Sequence, residues 1–137
     1  MRLSARSNLY YCGATNLSDK ERAEYDLYAT EPKAVEALLQ NEKFNTDVLE
    51  CCAGLNHITN VLKKHGYNVV ASDIVDRKIG IIERDVFDIK EWSGDIVTNP
   101  PYKLAVPILK HLLNIVKDGQ KIALMLRLLF LESKHRY

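Results

Sequence analysis

The residues best suited to chemistry in this chain are Asn99, Pro100, Pro101 and Tyr102, which follow the apolar run 95–98. β-branched residues followed by two prolines predict a buried strand that ends in a stiff turn, because proline fixes φ and lacks a backbone donor. In an open α/β sheet, ligands bind at the carboxyl ends of such strands. The turn therefore offers a ligand the Asn99 amide oxygen, the Pro100 carbonyl and the Tyr102 ring.

These three groups suit a flat heterocycle that carries an exocyclic amine. The Asn99 oxygen and the Pro100 carbonyl can each accept one amine hydrogen, while the Tyr102 ring stacks on the heterocycle. Such an amine is a poor nucleophile because its lone pair is delocalised. Two acceptors favour a pyramidal nitrogen and stabilise the positive charge that develops in the transition state. The alternative interpretation is a simple turn, since Asn and Pro are common turn residues.

A strand, a small-residue turn and a helix over residues 46–66 predict the opening of a nucleotide-binding βαβ unit. Ala53 and Gly54 allow the backbone to approach a ligand closely, and Asn56 tolerates positive φ better than most residues. A dinucleotide-binding oxidoreductase needs a GxGxxG turn, and this turn has a single glycine. The sequence therefore disfavours nicotinamide chemistry.

An acid ends the second predicted strand, at residues 67–73. Asp73 follows Gly54 by about 20 residues, which is the spacing of an acid that holds ribose hydroxyls. Ile74 would then lie against an adenine face. The alternative interpretation of Asp73 is an aspartate that initiates a turn.

A second acid follows in the short apolar stretch 80–88, which predicts a third strand. Asp85 is a candidate acceptor for an adenine amine, with Val86 or Phe87 covering the ring. The alternative, an exposed loop acid, is equally compatible with the sequence.

Alternating strands and helices predict an α/β fold with a doubly wound, mostly parallel sheet. We expect the strand order 3-2-1-4-5, with a ligand at the reversal between strands 1 and 4, where Gly54 and Asn99 would end neighbouring strands. The predicted strands cover residues 46–50, 67–73, 80–88, 95–98 and 121–128.

Two helices outside the βαβ unit have recognisable signals. Thr30 is the expected N-cap of a helix that ends near Asn41, with Pro32 in its first turn, and such a cap presents free N–H groups to an anion. A second helix is expected over residues 103–116, kinked by Pro107. We divide the chain into an N-terminal extension, residues 1–27, and one domain, residues 28–137.

Composition is that of a globular domain of 137 residues, with 47% hydrophobic and 27% charged residues. The net charge of +1 provides no global basic field for a polyanion. The three cysteines lack CxxC spacing, so we expect reduced thiols and no metal site. No signal peptide or membrane-length apolar run is present in the sequence, so we expect a cytoplasmic protein without membrane contact.

With these motifs in place, residues 28–136 resemble the S-adenosylmethionine-dependent amino-methyltransferases, in particular small phage-type DNA adenine methyltransferases. Residues 99–102 match the catalytic tetrapeptide of that family letter for letter. Residues 50–56 resemble its first motif, and the resemblance implies that Glu50 lies near the cofactor's amino group.

The same resemblance assigns further cofactor contacts. It implies that Asp73 binds the ribose and that Asp85 and Val86 flank the adenine. The segment that begins at Tyr28 resembles the motif before the first strand, and its Thr30 would contact the cofactor carboxylate.

The chain also departs from the family pattern. Asn56 stands where the family usually has a second glycine, which is expected to weaken cofactor affinity. The family fold continues after strand 5 into a helix and an antiparallel β-hairpin, whereas this sequence ends at Tyr137. We therefore expect a truncated domain that lacks the hairpin, and an exposed, apolar fifth strand that favours a homodimer.

The expected function is methyl transfer from S-adenosylmethionine to the amino group of adenine in DNA, with the base flipped onto Tyr102. The same tetrapeptide also serves adenine in RNA and the glutamine amide of proteins, and these substrates stay open. A different class of function also stays open, namely a catalytically silent or partner-completed cofactor-binding fragment.

Overall fold

The computed structural model describes residues 30–126, which form a five-stranded sheet with helices. Predictions for residues 1–29, among them Tyr28 and the N-terminal extension, and for residues 127–137 lie outside the described part. The main elements are α1 (Pro32–Asn41), β1 (Asp47–Glu50), α2 (His57–Lys64), β2 (Asn68–Asp73), β3 (Ile82–Glu83), β4 (Asp95–Thr98), α3 (Ala105–Ile115) and β5 (Ile122–Leu124). Short 3-10 helices occupy Val86–Asp88 and Tyr102–Leu104.

The sheet has the order β3-β2-β1-β4-β5, and all of its neighbouring strands are parallel. From β1 the chain proceeds outward to β3 and then returns to place β4 on the other side of β1. The order reverses between β1 and β4, as the sequence predicts. The described residues thus form an α/β, Rossmann-like sheet.

The two central strands, β1 and β4, are buried on both faces, which explains why the two middle residues of each strand are apolar. Val48 and Val97 pack in one cluster with Val35 of α1 and residues of α2. Their strand neighbours Leu49 and Ile96 point to the opposite face and pack against α3. Successive side chains alternate between faces, so these strands serve two cores at once.

A buried aspartate connects three segments at the amino ends of the strands. The Asp95 carboxylate accepts hydrogen bonds from the backbone N of Asn45 at 2.6 Å and of Lys121 at 2.8 Å. The Asp95 carbonyl accepts from Trp92 Nε1 at 2.9 Å. Asp95 thereby aligns the starts of β1, β4 and β5. This alignment also fixes where the opposite end of β4 lies relative to its neighbouring strands.

The start of α1 differs from the sequence expectation. Glu31, and not Thr30, is the N-cap, and Pro32 is the first helical residue. The prediction of Thr30 as the cap is therefore wrong by one residue. A proline at the first helical position places the cap directly before it, because its fixed φ suits the helix and its missing N–H costs nothing there.

Three other elements are shorter than predicted. Within the described part of the predicted strand 121–128, β5 covers only Ile122–Leu124. The third strand covers only Ile82–Glu83, because Asp85 already caps the following 3-10 helix. The α-helical part of 103–116 begins at Ala105, so Pro107 is in its first turn. The expected kink has no cause there, since the first N–H groups of a helix have no intrahelical acceptor in any case.

The turn before β4 requires glycine, and this yields a stability test. Gly94 has a φ of 145°, and an added Cβ would clash with the backbone carbonyl of Asp47. Gly119 has a φ of 86° with open space around it.

We expect Gly94→Ala to lower the free energy of unfolding by roughly 2 kcal/mol more than Gly119→Ala, because only Gly94→Ala adds a backbone clash to the unfavourable positive φ. Urea denaturation of both variants measures the difference. Equal losses would show that the Asp47 carbonyl moves aside without cost.

Candidate functional site

The candidate site lies at the carboxyl ends of β1 and β4, where the strand order reverses. The turn after β1 and the turn after β4 are connected directly, since Thr98 Oγ1 accepts a hydrogen bond from Cys52 N at 3.1 Å. Thr98 is fully buried. This bond, which sequence reasoning missed, brings the glycine turn and the Asn99 turn side by side at the usual ligand position of such sheets.

Asn99 is held by a residue from a distant part of the chain. Its Nδ2 donates a hydrogen bond to Thr30 Oγ1 at 3.0 Å, although the two residues are 69 positions apart. Both side chains belong to half-buried residues. The structure therefore brings two predicted site residues into contact, but through a bond between them that the sequence did not suggest.

The remainder of the tetrapeptide forms the expected stiff turn directly after β4. Pro100 is buried, and Pro101 has a φ of −57° and precedes the 3-10 helix that Tyr102 begins. Leu104 N donates to Pro101 O at 3.0 Å, and the Leu104 side chain is buried in the core against α3. Tyr102, half-buried, is thus attached to a packed helical turn.

The turn after β1 has the conformation that its residue types predict. Gly54 has a φ of 55° and Asn56 a φ of 68°, both in the left-handed region. Ala53 is buried, and its N donates to Ser72 O at 3.0 Å, which ties the turn to the end of β2. Asn56 Oδ1 and His57 Nε2 are buried atoms without a hydrogen-bond partner in the described part of the chain.

Asp73 serves the local structure in two ways. One carboxylate oxygen accepts from Gly54 N at 2.8 Å, and the other accepts from Val75 N at 2.9 Å. Arg77 Nη1 lies 3.2 Å from the second oxygen. The turn-initiating alternative is therefore realised, and the same carboxylate also supports the glycine turn. Ile74 beside it is half-buried.

Asp85 follows the point where β3 leaves β2. Arg84 N donates a hydrogen bond to Asp73 O at 2.8 Å, so the next residue, Asp85, lies just beyond the end of β2. Its side chain accepts from Phe87 N at 3.0 Å. Asp85 and Val86 are both buried, so the interpretation of Asp85 as an exposed loop acid is wrong.

Glu50 is buried at the end of β1, where Thr59 of α2 donates a hydrogen bond to its Oε2. Burial raises the pKa of Glu50 from 4.5 to about 8; the hydrogen bonds from Thr59 oppose this shift and the nearby charge of Asp73 adds to it. The carboxyl group is therefore mostly protonated at neutral pH. Thr59 is a second residue that sequence reasoning missed, although its position on the buried side of α2 was a usable signal.

The adjacent thiols Cys51 and Cys52 are free, as expected. Contact with Cys51 and burial raise the pKa of the Cys52 thiol. The Cys52 thiol is therefore protonated at neutral pH and is a poor nucleophile. Among residues 30–126, no group of three or more side chains has the composition of a metal site. Nor does any helix in that range have the length and apolar character needed to cross a membrane.

Comparisons with protein-family models, with curated proteins and with solved structures found no match to this chain.

The raised pKa of Glu50 predicts a pH dependence of stability. Because the folded state holds this proton up to about pH 8 and the unfolded state releases it near pH 4.5, Glu50 stabilises the fold below pH 4.5. That contribution is lost as the pH rises toward 8, with a slope of up to about 1.4 kcal/mol per pH unit. We expect Glu50→Gln to flatten this decline in urea denaturation series between pH 5 and 8.

Glu91→Gln, at an exposed position, is the matched control and should keep the wild-type pH profile. Parallel profiles for Glu50→Gln and the wild type would contradict a protonated Glu50.

Proposed function

We propose that this protein transfers a methyl group from S-adenosylmethionine to an exocyclic amino nitrogen, with the amino group of adenine in DNA as the substrate. One observation carries the proposal: the Asn-Pro-Pro-Tyr turn follows β4 and is hydrogen-bonded, through Thr98 and Cys52, to the glycine turn after β1. The turn that we expect to bind the amine, after β4, and the turn that we expect to bind the cofactor, after β1, are thus neighbours.

The turn after β1 and the ends of β2 and β3 offer groups that fit the cofactor. Gly54 and Asn56 bend the backbone around the strand end, and the buried Asn56 Oδ1 is an acceptor that a polar ligand can satisfy. A carboxylate has about four acceptor sites, so Asp73 can bind Gly54 N and Val75 N and still accept from a ribose hydroxyl. Asp85 and Val86, buried beyond β2, would flank the adenine.

Glu50 fits the cofactor's amino group less directly. A mostly protonated carboxyl group binds an ammonium group poorly, so the role suggested by the resemblance requires Glu50 to lose its proton when the cofactor binds. The compensation is electrostatic: a buried positive charge nearby lowers the pKa of a carboxyl group. Thr59 would continue to hold the side chain through its hydroxyl.

The chemistry of the chain's own residues is limited and specific. The bound cofactor supplies an electrophilic methyl group on a positively charged sulfur. Asn99 Oδ1 and the Pro100 carbonyl would accept the two amine hydrogens and stabilise the positive charge that develops on nitrogen. The Tyr102 ring, on its packed 3-10 turn, would stack on the flipped base. The methylated nitrogen would then return to neutrality by releasing one proton to water.

Cofactor binding is tested by calorimetric titration of S-adenosylmethionine into the full chain. We expect Asp73→Ala to weaken binding more than tenfold, because it removes a charged acceptor for the ribose and the acceptor for Gly54 N.

Asp76→Ala, three positions further in the same loop and exposed, is the control and should bind like the wild type. Failure of a folded wild-type chain to bind would reject the proposal.

Methyl transfer is tested by mass spectrometry of adenine-containing duplex DNA after incubation with the chain and the cofactor. We expect Asn99→Ala to bind the cofactor normally but to lower the transfer rate roughly 100-fold or more, since it removes one preorganised acceptor.

Parallel reactions with RNA and with a glutamine-containing peptide decide the substrate class. Cofactor binding without any transfer by the wild type would instead favour a cofactor-binding module.

A further inference from the structure

We propose that Thr30 is a positioning residue for the Asn99 amide. Its hydroxyl accepts a hydrogen bond from Asn99 Nδ2 at 3.0 Å and thereby anchors the amide group beside the end of β4. The role of the bound amine rests on the proposed function, whereas the anchoring bond is a property of the chain alone.

An asparagine side chain has two ends with opposite hydrogen-bonding properties. Nδ2 only donates and Oδ1 only accepts, and a rotation of 180° about the last side-chain bond exchanges them. An amine that must donate its hydrogens can use only Oδ1. The observed bond uses Nδ2, the end that the amine does not need. Because a threonine hydroxyl can donate as well as accept, Thr30 anchors the amide, and the amine selects the orientation in which Oδ1 accepts its hydrogen.

Thr30 is suited to this task because α1 does not need its hydroxyl. The helix is capped at Glu31 and begins with Pro32, and Ala34 N donates to Glu31 O at 2.9 Å. The hydroxyl of Thr30 therefore accepts from Asn99 without competing with a capping bond.

The geometry is supported by the core beneath it. Val97 lies in β4, and Asn99 is the first residue after that strand, two positions further along the chain. Val97 packs with Val35 of α1, and both side chains are fully buried. Thr30 directly precedes Glu31, the N-cap of α1, and Asn99 directly follows β4, so the bond connects the ends of two elements that pack together.

This role differs from the cofactor-carboxylate contact that the resemblance implies for Thr30. A carboxylate contact affects the affinity for the cofactor. A positioning bond affects the rate of transfer at saturating cofactor. The two roles are therefore separable by experiment.

The test compares Thr30→Val, which keeps the shape but loses the acceptor, with Thr30→Ser, which keeps the hydroxyl. Thr46→Val, at an exposed threonine, is the control for the substitution itself. At saturating S-adenosylmethionine we expect Thr30→Val to lower the single-turnover rate roughly three- to tenfold, the worth of one hydrogen bond. Its cofactor Kd should stay unchanged, and Thr30→Ser should restore the rate.

A second measurement does not depend on activity. The side-chain NH2 of Asn99, identified by its absence from the NMR spectrum of Asn99→Ala, should exchange with solvent more slowly in the wild type and in Thr30→Ser than in Thr30→Val. Equal exchange in all three would overturn the inference, as would a Thr30→Val defect confined to cofactor affinity. If the wild type transfers no methyl group but shows the protected amide, the proposed function fails and the positioning bond stands.

Discussion

The parallel pairing of β1 with β4 is the contact on which the rest of the structure depends. The register pairs Val48 with Asp95 and Leu49 with Ile96, and the cores on both faces include residues from these two strands. The Thr98–Cys52 hydrogen bond extends the pairing into the turns beyond the strands. A parallel pair needs a long crossover connection, and here that connection contains α2, β2 and β3.

The candidate site is assembled from segments far apart in the chain, each held by a small number of polar bonds. Thr30 contacts Asn99, Thr98 contacts Cys52, and Asp73 contacts Gly54. Buried or half-buried hydrogen bonds of this type are directional, so they determine side-chain orientation as well as position. Hydrophobic packing places the strand ends together, and these hydrogen bonds then orient the side chains of the candidate site.

The acids at the strand ends show that a structural role and a ligand role need not exclude each other. Sequence reasoning treated a turn role and a ligand role for Asp73 as alternatives, yet the carboxylate shapes its own turn and supports the glycine turn while keeping capacity for another donor. Asp85 likewise caps the 3-10 helix at Val86–Asp88 while remaining buried near the end of β2. Glu50 is different, because burial alters its protonation and no sequence pattern reports burial depth.

The sequence by itself determined the alternation of strands and helices, the order of the sheet, the left-handed turn at Asn56 and the stiff turn after Thr98. The strand–helix alternation and the two turns follow from local signals, namely apolar runs and the positions of proline, glycine and asparagine. The strand order follows from the general topology of doubly wound sheets. The tertiary structure alone decided that Thr30 binds Asn99, that Thr98 joins the two turns and that Glu50 holds its proton. Each of these depends on contacts between residues distant in sequence, and local propensity carries no information about such distances.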